Sequence, residues 1–160
     1  MPTLRASARC VEGGVCHRAA GLGSRRRVAA QCVVQSVDFH PAAQVVLTAG
    51  FDKRVRLFQV DGTTNALVDS VFIPDLPIRT AKFTRDGSQV ICSGRRPFVY
   101  SFDVTTGKVT KVDRLIGREE RSLERFVVSP DGKLIAFFGN HGYIILASAI
   151  TKQVRVQPAA

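Results

Sequence analysis

The sequence predicts an all-β fold assembled from about three repeated four-stranded antiparallel units, and three observations carry that prediction. Gly50, Gly94 and Gly139 each close a strand-length run and recur at intervals of 44 and 45 residues. Asp86-Gly87 and Asp131-Gly132 repeat the interval of 45 residues. Between these marks, short apolar runs alternate with clusters of turn-forming residues, and no helix of ordinary length is needed to account for them. A period of roughly 40 to 45 residues with four strands per unit is the pattern of a WD-type β-propeller blade. The reading is therefore a partial propeller of about three blades.

Taken in order, residues 1–32 are rich in Arg, Ala, Gly and Ser and show no sustained period, which predicts a disordered basic segment. Arg-rich, acid-poor starts also occur in organellar transit peptides, and Arg25-Arg26-Arg27 has the make-up of a nuclear-import or RNA-contacting patch. Nothing in this segment continues the repeat upstream, as would also follow from a misassigned gene start.

The first blade is placed over 33–73. Val33, Val37 and Phe39 supply its first strand, stopped at His40-Pro41 because proline cannot continue a ladder. Gln44 to Ala49 reads as a strand covered on both faces, and Gly50-Phe51-Asp52-Lys53 makes the next turn. Val55 to Val60 and Ala66 to Ile73 follow, separated by the turn formers Asp61 to Asn65. The second blade, 77–115, has strands near Ile78 to Phe83, Ser88 to Ser93, Phe98 to Val104 and Lys108 to Leu115. The third, 122–156, has them near Leu123 to Val128, Lys133 to Phe138, Tyr143 to Ser148 and Lys152 to Val156. Residues 157–160 form a tail.

Composition limits the function classes. An apolar share of 45% in 160 residues is enough for one core. No apolar run approaches the roughly 20 residues of a membrane-spanning helix. The net charge of +10 suits nucleic-acid binding through counterion release and suits ordinary solubility equally. Cys10, Cys16, Cys32 and Cys92 include no Cys-x-x-Cys pair, so they read as free thiols in a reducing compartment; a metal on Cys10, Cys16 and His17 would need a fourth ligand from elsewhere. No cofactor site is indicated.

Asp52 is assigned to the turn between the second and third strands of the first blade, where a carboxylate accepts backbone N–H groups. Gly87 and Gly132 are assigned to Asp-Gly turns that need positive φ. Tryptophan is missing from the chain, so the places of the Trp-Asp dipeptide fall to Phe58-Gln59, Phe102-Asp103 and, in the third copy, Leu146-Ala147. His40 and His141 have no carboxylate or nucleophile at a recognisable spacing, and catalytic, cofactor-binding and metal-binding residues are all assigned as none. Arg95, Arg96, Arg118 and Arg121 are the candidate contacts to a partner protein or RNA. Glu119, Glu120 and Glu124, mixed among the later arginines, tilt that cluster toward a solvated loop or a protein contact.

Four stretches, Leu57 to Gly62, Pro77 to Phe83, Gly117 to Phe126 and Val128 to Leu146, resemble the family of U-three small nucleolar RNA-associated protein eighteen. The resemblance covers roughly Val33 to Gln153. It implies a WD-repeat propeller acting as a non-catalytic scaffold of the nucleolar small-subunit processome, in pre-ribosomal RNA processing and small-subunit biogenesis. It also implies other processome proteins and the U-three small nucleolar ribonucleoprotein as partners, a nuclear and nucleolar location, no membrane and no small-molecule substrate. A WD-repeat adaptor of another complex and a fragment of a propeller hydrolase are the alternatives. Members of the family carry further repeats, so this chain is expected to be a fragment. Three blades would leave both terminal blades with uncovered faces, because closed propellers use about 4 to 8 blades.

Overall fold

Fourteen short strands and one 3-10 turn make up the regular structure of the computed structural model, which describes residues 9–11, 15–17, 32–113, 120–151 and 154–156. They run β1 (Arg9–Val11), β2 (Val15–His17), β3 (Val34–Phe39), β4 (Val45–Gly50), β5 (Arg54–Gln59), β6 (Leu67–Phe72), β7 (Ile78–Phe83), β8 (Gln89–Gly94), β9 (Phe98–Asp103), β10 (Val109–Asp113), β11 (Phe126–Val128), β12 (Leu134–Phe138), β13 (Ile144–Ser148) and β14 (Val154–Val156). The 3-10 turn is Asn140–Gly142, between β12 and β13. No helix among the described residues is long and apolar enough to cross a membrane.

Each group of four consecutive strands from β3 onward forms one antiparallel meander: β3 to β6, β7 to β10 and β11 to β14. These are the three blades of an all-β propeller arc. Short turns dictate this outcome, since antiparallel neighbours need only a few connecting residues. Gly87 (φ +75°) and Gly132 (φ +73°) take up the left-handed conformation in equivalent turns between first and second strands. In each turn the glycine N–H donates to the carbonyl three residues back, Thr84 or Ser129, at 2.9 Å.

One difference from the sequence reading lies in residues 1–32. Two pieces of that segment, β1 and β2, pair with each other and continue the first sheet beyond β6, giving the order β1-β2-β6-β5-β4-β3. Cys10 stands opposite Cys16, and Cys16 opposite Phe72. The physical reason is the outer edge of β6, whose unpaired backbone groups form a template for a further strand, met by the β-formers Val11 and Val15. Arg25-Arg26-Arg27 and 157–160 lie outside the described residues.

Packing between blades forms two continuous cores. Leu47, Val55 and Leu57 of the first blade meet Val90, Cys92, Tyr100 and Phe102 of the second. Ile91 and Val99, on the opposite face of the second blade, meet Phe126, Ile135, Phe137, Ile145 and Ala147 of the third. The middle blade is thus buried on both faces. The first is not: in β4, Leu47 and Ala49 are buried while Val46 and Thr48 are only partly covered, so the expectation of two covered faces holds for β8 rather than β4. Val37 and Phe39 on β3, and Phe138 and Ile144 in the third blade, stay exposed.

Register also corrects the third copy of the missing dipeptide. Phe58 pairs with Val46, Phe102 with Val90, and Ala147 with Ile135. Ala147 and Ser148, not Leu146 and Ala147, therefore stand where Phe102 and Asp103 do. A one-residue slip moves a side chain to the other face, and Ala147 is the residue in the shared core.

The turns between first and second strands also stack from blade to blade. A Cβ at Gly87 would lie 2.2 Å from Nε2 of His40 in the preceding blade, and one at Gly132 would lie 2.8 Å from Cβ of Arg85. His40 is held for this contact because its Nδ1 accepts the N–H groups of Ala42 and Ala43, at 3.1 and 2.8 Å, and its ring meets Phe83 edge-on. Gly87→Ala is expected to lose about 1–2 kcal/mol to its left-handed backbone plus a steric share that His40→Ala relieves. Urea midpoints of the two single variants and the double variant check this; strictly additive losses would contradict the contact.

Candidate partner-binding face

Strand direction sorts the connecting loops into two groups. The turns joining second to third strands and the connections between blades gather at one end of the arc, and the remaining turns gather at the other. Arg95 and Arg96 follow β8, Arg121 precedes β11, and Lys53 and Arg54 follow β4, so these cations share the first end. Asp61, Asp86, Asp103 and Asp131 share the second.

The aspartates at the second end are consumed by local turn chemistry. Asp61 Oδ1 accepts the N–H groups of Thr63, Thr64 and Asn65 at 2.8–2.9 Å, and its Oδ2 accepts the Thr64 hydroxyl at 2.6 Å. Asp103 caps its turn alike, through Thr105 and Thr106. The Thr64 hydroxyl and backbone donors hold the Asp61 carboxyl well below the ordinary value of 3.8, and the Thr106 N–H acts on Asp103 in the same direction. The hydroxyls of Ser88 and Ser129 lower Asp86 and Asp131.

At the first end the structure locates the residues singled out from sequence. Arg95, Arg96 and Arg121 are exposed on adjoining loops, and the Leu123 N–H donates to the Arg96 carbonyl at 3.1 Å, which ties the two loops together. Arg118 lies outside the described residues. Asp52 receives the N–H of Arg54 at 3.4 Å, in its assigned turn. It also forms an ion pair with Arg56 at 2.5 Å, with side-chain exposures of 8% and 6%. Nothing in the chain's periodicity flagged Arg56, which stands where Tyr100 and Ile145 supply core apolar groups in the later blades.

Arg79, Phe51 and Glu124 are the residues that sequence reasoning missed. β7 carries an irregularity between Ile78 and Thr80, matched in β3 between Val34 and Ser36, so Arg79 is an extra residue in its strand. Such a bulge redirects a side chain. The Arg79 guanidinium lies 5.2 Å from the centre of the Phe51 ring in the first blade, and its Nε lies 3.5 Å from Glu124 Oε2, just before the third. Glu124 Oε1 takes the Arg95 Nε at 2.9 Å. One carboxylate thus serves two guanidinium groups of the second blade, and the Phe51 contact of Arg79 extends the cluster to the first.

Other groups with latent reactivity are engaged in structure. Burial pushes the Cys92 thiol up to about 12, so no thiolate forms there near neutral pH. The Tyr100 hydroxyl donates to Asp75 Oδ2 at 2.8 Å, fixing the connection between the first two blades at the rim. Among the described residues no group of three or more His, Cys, Asp or Glu side chains is placed to hold a metal ion. What the first end can do chemically is bind anionic or planar groups through arginine.

No family model matches the sequence. Curated relatives do. The chain is 54% identical over 121 residues to a U3 small nucleolar RNA-associated protein 18 homolog of Arabidopsis thaliana, covering 76% of this chain and 22% of that protein. It is 41% identical over 122 residues to a probable U3 small nucleolar RNA-associated protein 18 of Schizosaccharomyces pombe, covering 75% and 24%. The human homolog is 38% identical over 122 residues, covering 76% and 22%. The chain therefore spans roughly a quarter of the length of the relatives it matches.

Two outcomes are expected from this geometry. Asp52→Ala and Arg56→Ala should each cost about 3–5 kcal/mol by stranding a buried charge, whereas replacing both with apolar residues should recover much of the loss; equal losses in all three would contradict a coupled pair. The turn carboxylates have folded values below 3.8. Their contribution is therefore present above about pH 4 and lost as pH falls through the folded values. Stability measured against pH should decline below about pH 4, and Asp61→Asn should shallow that decline.

Proposed function

Because this chain belongs, as a partial member, to the family of U3 small nucleolar RNA-associated protein 18, we propose that it forms part of a non-catalytic WD-type scaffold in the nucleolar small-subunit processome. In this role it acts in pre-ribosomal RNA processing and the biogenesis of the small ribosomal subunit. The observation that carries the reading is the 54% identity over 121 residues to a relative whose name states association with U3 small nucleolar RNA. The fold suits the role, since interlocked blades hold loops rigidly at two ends while leaving those loops free to vary. We assign the partner contacts to Arg95, Arg96, Arg118 and Arg121. Arg79 and Glu124 orient Arg95, and the partners are other processome proteins and the U3 ribonucleoprotein. The turn residues Asp52, Gly87 and Gly132 serve structure, and the scaffold works without a cofactor.

Immunoprecipitation of the native protein from nucleolar extract, through an antibody to the blade segment, tests this. U3 small nucleolar RNA should be enriched in the precipitate, and the protein should sediment with a large pre-ribosomal particle. Sedimentation as a small species with no U3 RNA would contradict the reading.

A further inference from the structure

We propose that the Phe51–Arg79 stack is a base-stacking subsite for single-stranded RNA, with Arg95 and Arg96 placed to hold the phosphates beside the stacked base. The inference rests on the reading of this loop end as a contact surface and names what that surface binds. Phe51 sits in the turn between β4 and β5 with 37% of its surface exposed. Arg79 reaches it only because the bulge in β7 breaks the strand's alternation, and the guanidinium lies 5.2 Å from the ring centre. The Arg79 side chain keeps 30% of its own surface exposed, so the stack has an open side.

Glu124 sets the rest of the geometry. It holds Arg79 and Arg95 together, two cations on one anion, which orients both guanidinium planes and leaves net positive charge. The Arg95 side chain remains 67% exposed despite that pairing. Arg96 follows directly, and its carbonyl bond to Leu123 brings Arg121 onto the same surface. An aromatic ring, planar guanidinium groups and a line of cations across adjoining blades together match single-stranded RNA, whose exposed bases stack while its phosphates seek positive charge. Duplex RNA presents no open base face. An acidic peptide would use the arginines and have no need of the ring.

Fluorescence anisotropy with the full chain and a short labelled single-stranded RNA tests the site. Phe51→Ala should weaken binding on the order of tenfold, the scale of one lost stacking contact, and Phe51→Trp should restore it. Arg79→Lys should also weaken binding although the charge is retained, because lysine has no plane to stack. Arg96→Ala should shallow the slope of log affinity against log salt by about 0.7, one phosphate contact. Melting curves identify any variant that fails to fold, and the remaining variants then decide. Undetectable binding by the unaltered chain, unchanged affinity in Phe51→Ala and Arg79→Lys, or equal competition by duplex RNA or polyglutamate would each overturn the proposal. Any of these could occur while U3 RNA still co-precipitates with the native protein, so the site and the scaffold reading fail separately.

Discussion

Successive blades are joined where no sheet ladder can reach, and a few side-chain to backbone hydrogen bonds carry that junction. The inner strands β3 and β7 lie side by side without pairing as strands. The Ser36 hydroxyl donates to the Ala81 carbonyl at 2.8 Å and accepts the Ala81 N–H at 3.0 Å, while Asp38 Oδ2 accepts the Phe83 N–H at 2.9 Å. At the next junction the Thr80 hydroxyl donates to the Glu124 carbonyl at 2.8 Å. These bonds satisfy backbone groups that would otherwise be half-buried without a partner, at a cost of about 1–3 kcal/mol each. The bonds from Ser36 and Asp38 lie at the junction whose apolar core, shared by the first and second blades, buries Phe102.

The same junctions bring the loop end into being. Glu124 is held by its carbonyl to Thr80, so its carboxylate points to Arg79 and Arg95 from a fixed base. The bulge that frees Arg79 lies beside Thr80, within the junction itself. The arginine cluster and the packing are therefore built from one stretch of β7: Ile78, Ala81 and Phe83 face the core, Thr80 ties the blades, and Arg79 is delivered to the surface. The middle blade that carries this stretch is buried on both faces.

Much of this was legible in the chain itself, because strand alternation and turn chemistry act locally. The interval between Gly50, Gly94 and Gly139 reports blade length, and Asp-Gly at 86–87 and 131–132 reports turns that need positive φ. What escaped were facts set by contacts between blades. Leu146 and Ala147 differ by one residue, and only the pairing of Ile135 with Ala147 decides which faces the core. Arg79 reads as one more polar residue in a strand until the bulge is seen. Arg56 interrupts an apolar run and takes its meaning from Asp52, four residues away across a turn. The pairing of β2 with β6 depends on an edge of the first sheet that no local pattern announces. In each case what decides is a pairing or contact that the local sequence pattern does not show.

Hydrogen exchange at the Ala81 and Phe83 amides tests the central claim most directly. Both N–H groups bond across the junction, to Ser36 and Asp38, rather than within the second blade. If the junction holds the arc together, these two amides exchange only with the opening that exposes the core, and Asp38→Ala releases Phe83 while leaving the interior of β8 and β9 protected. Exchange of Ala81 and Phe83 as fast as loop amides, with the core still protected, would contradict the account.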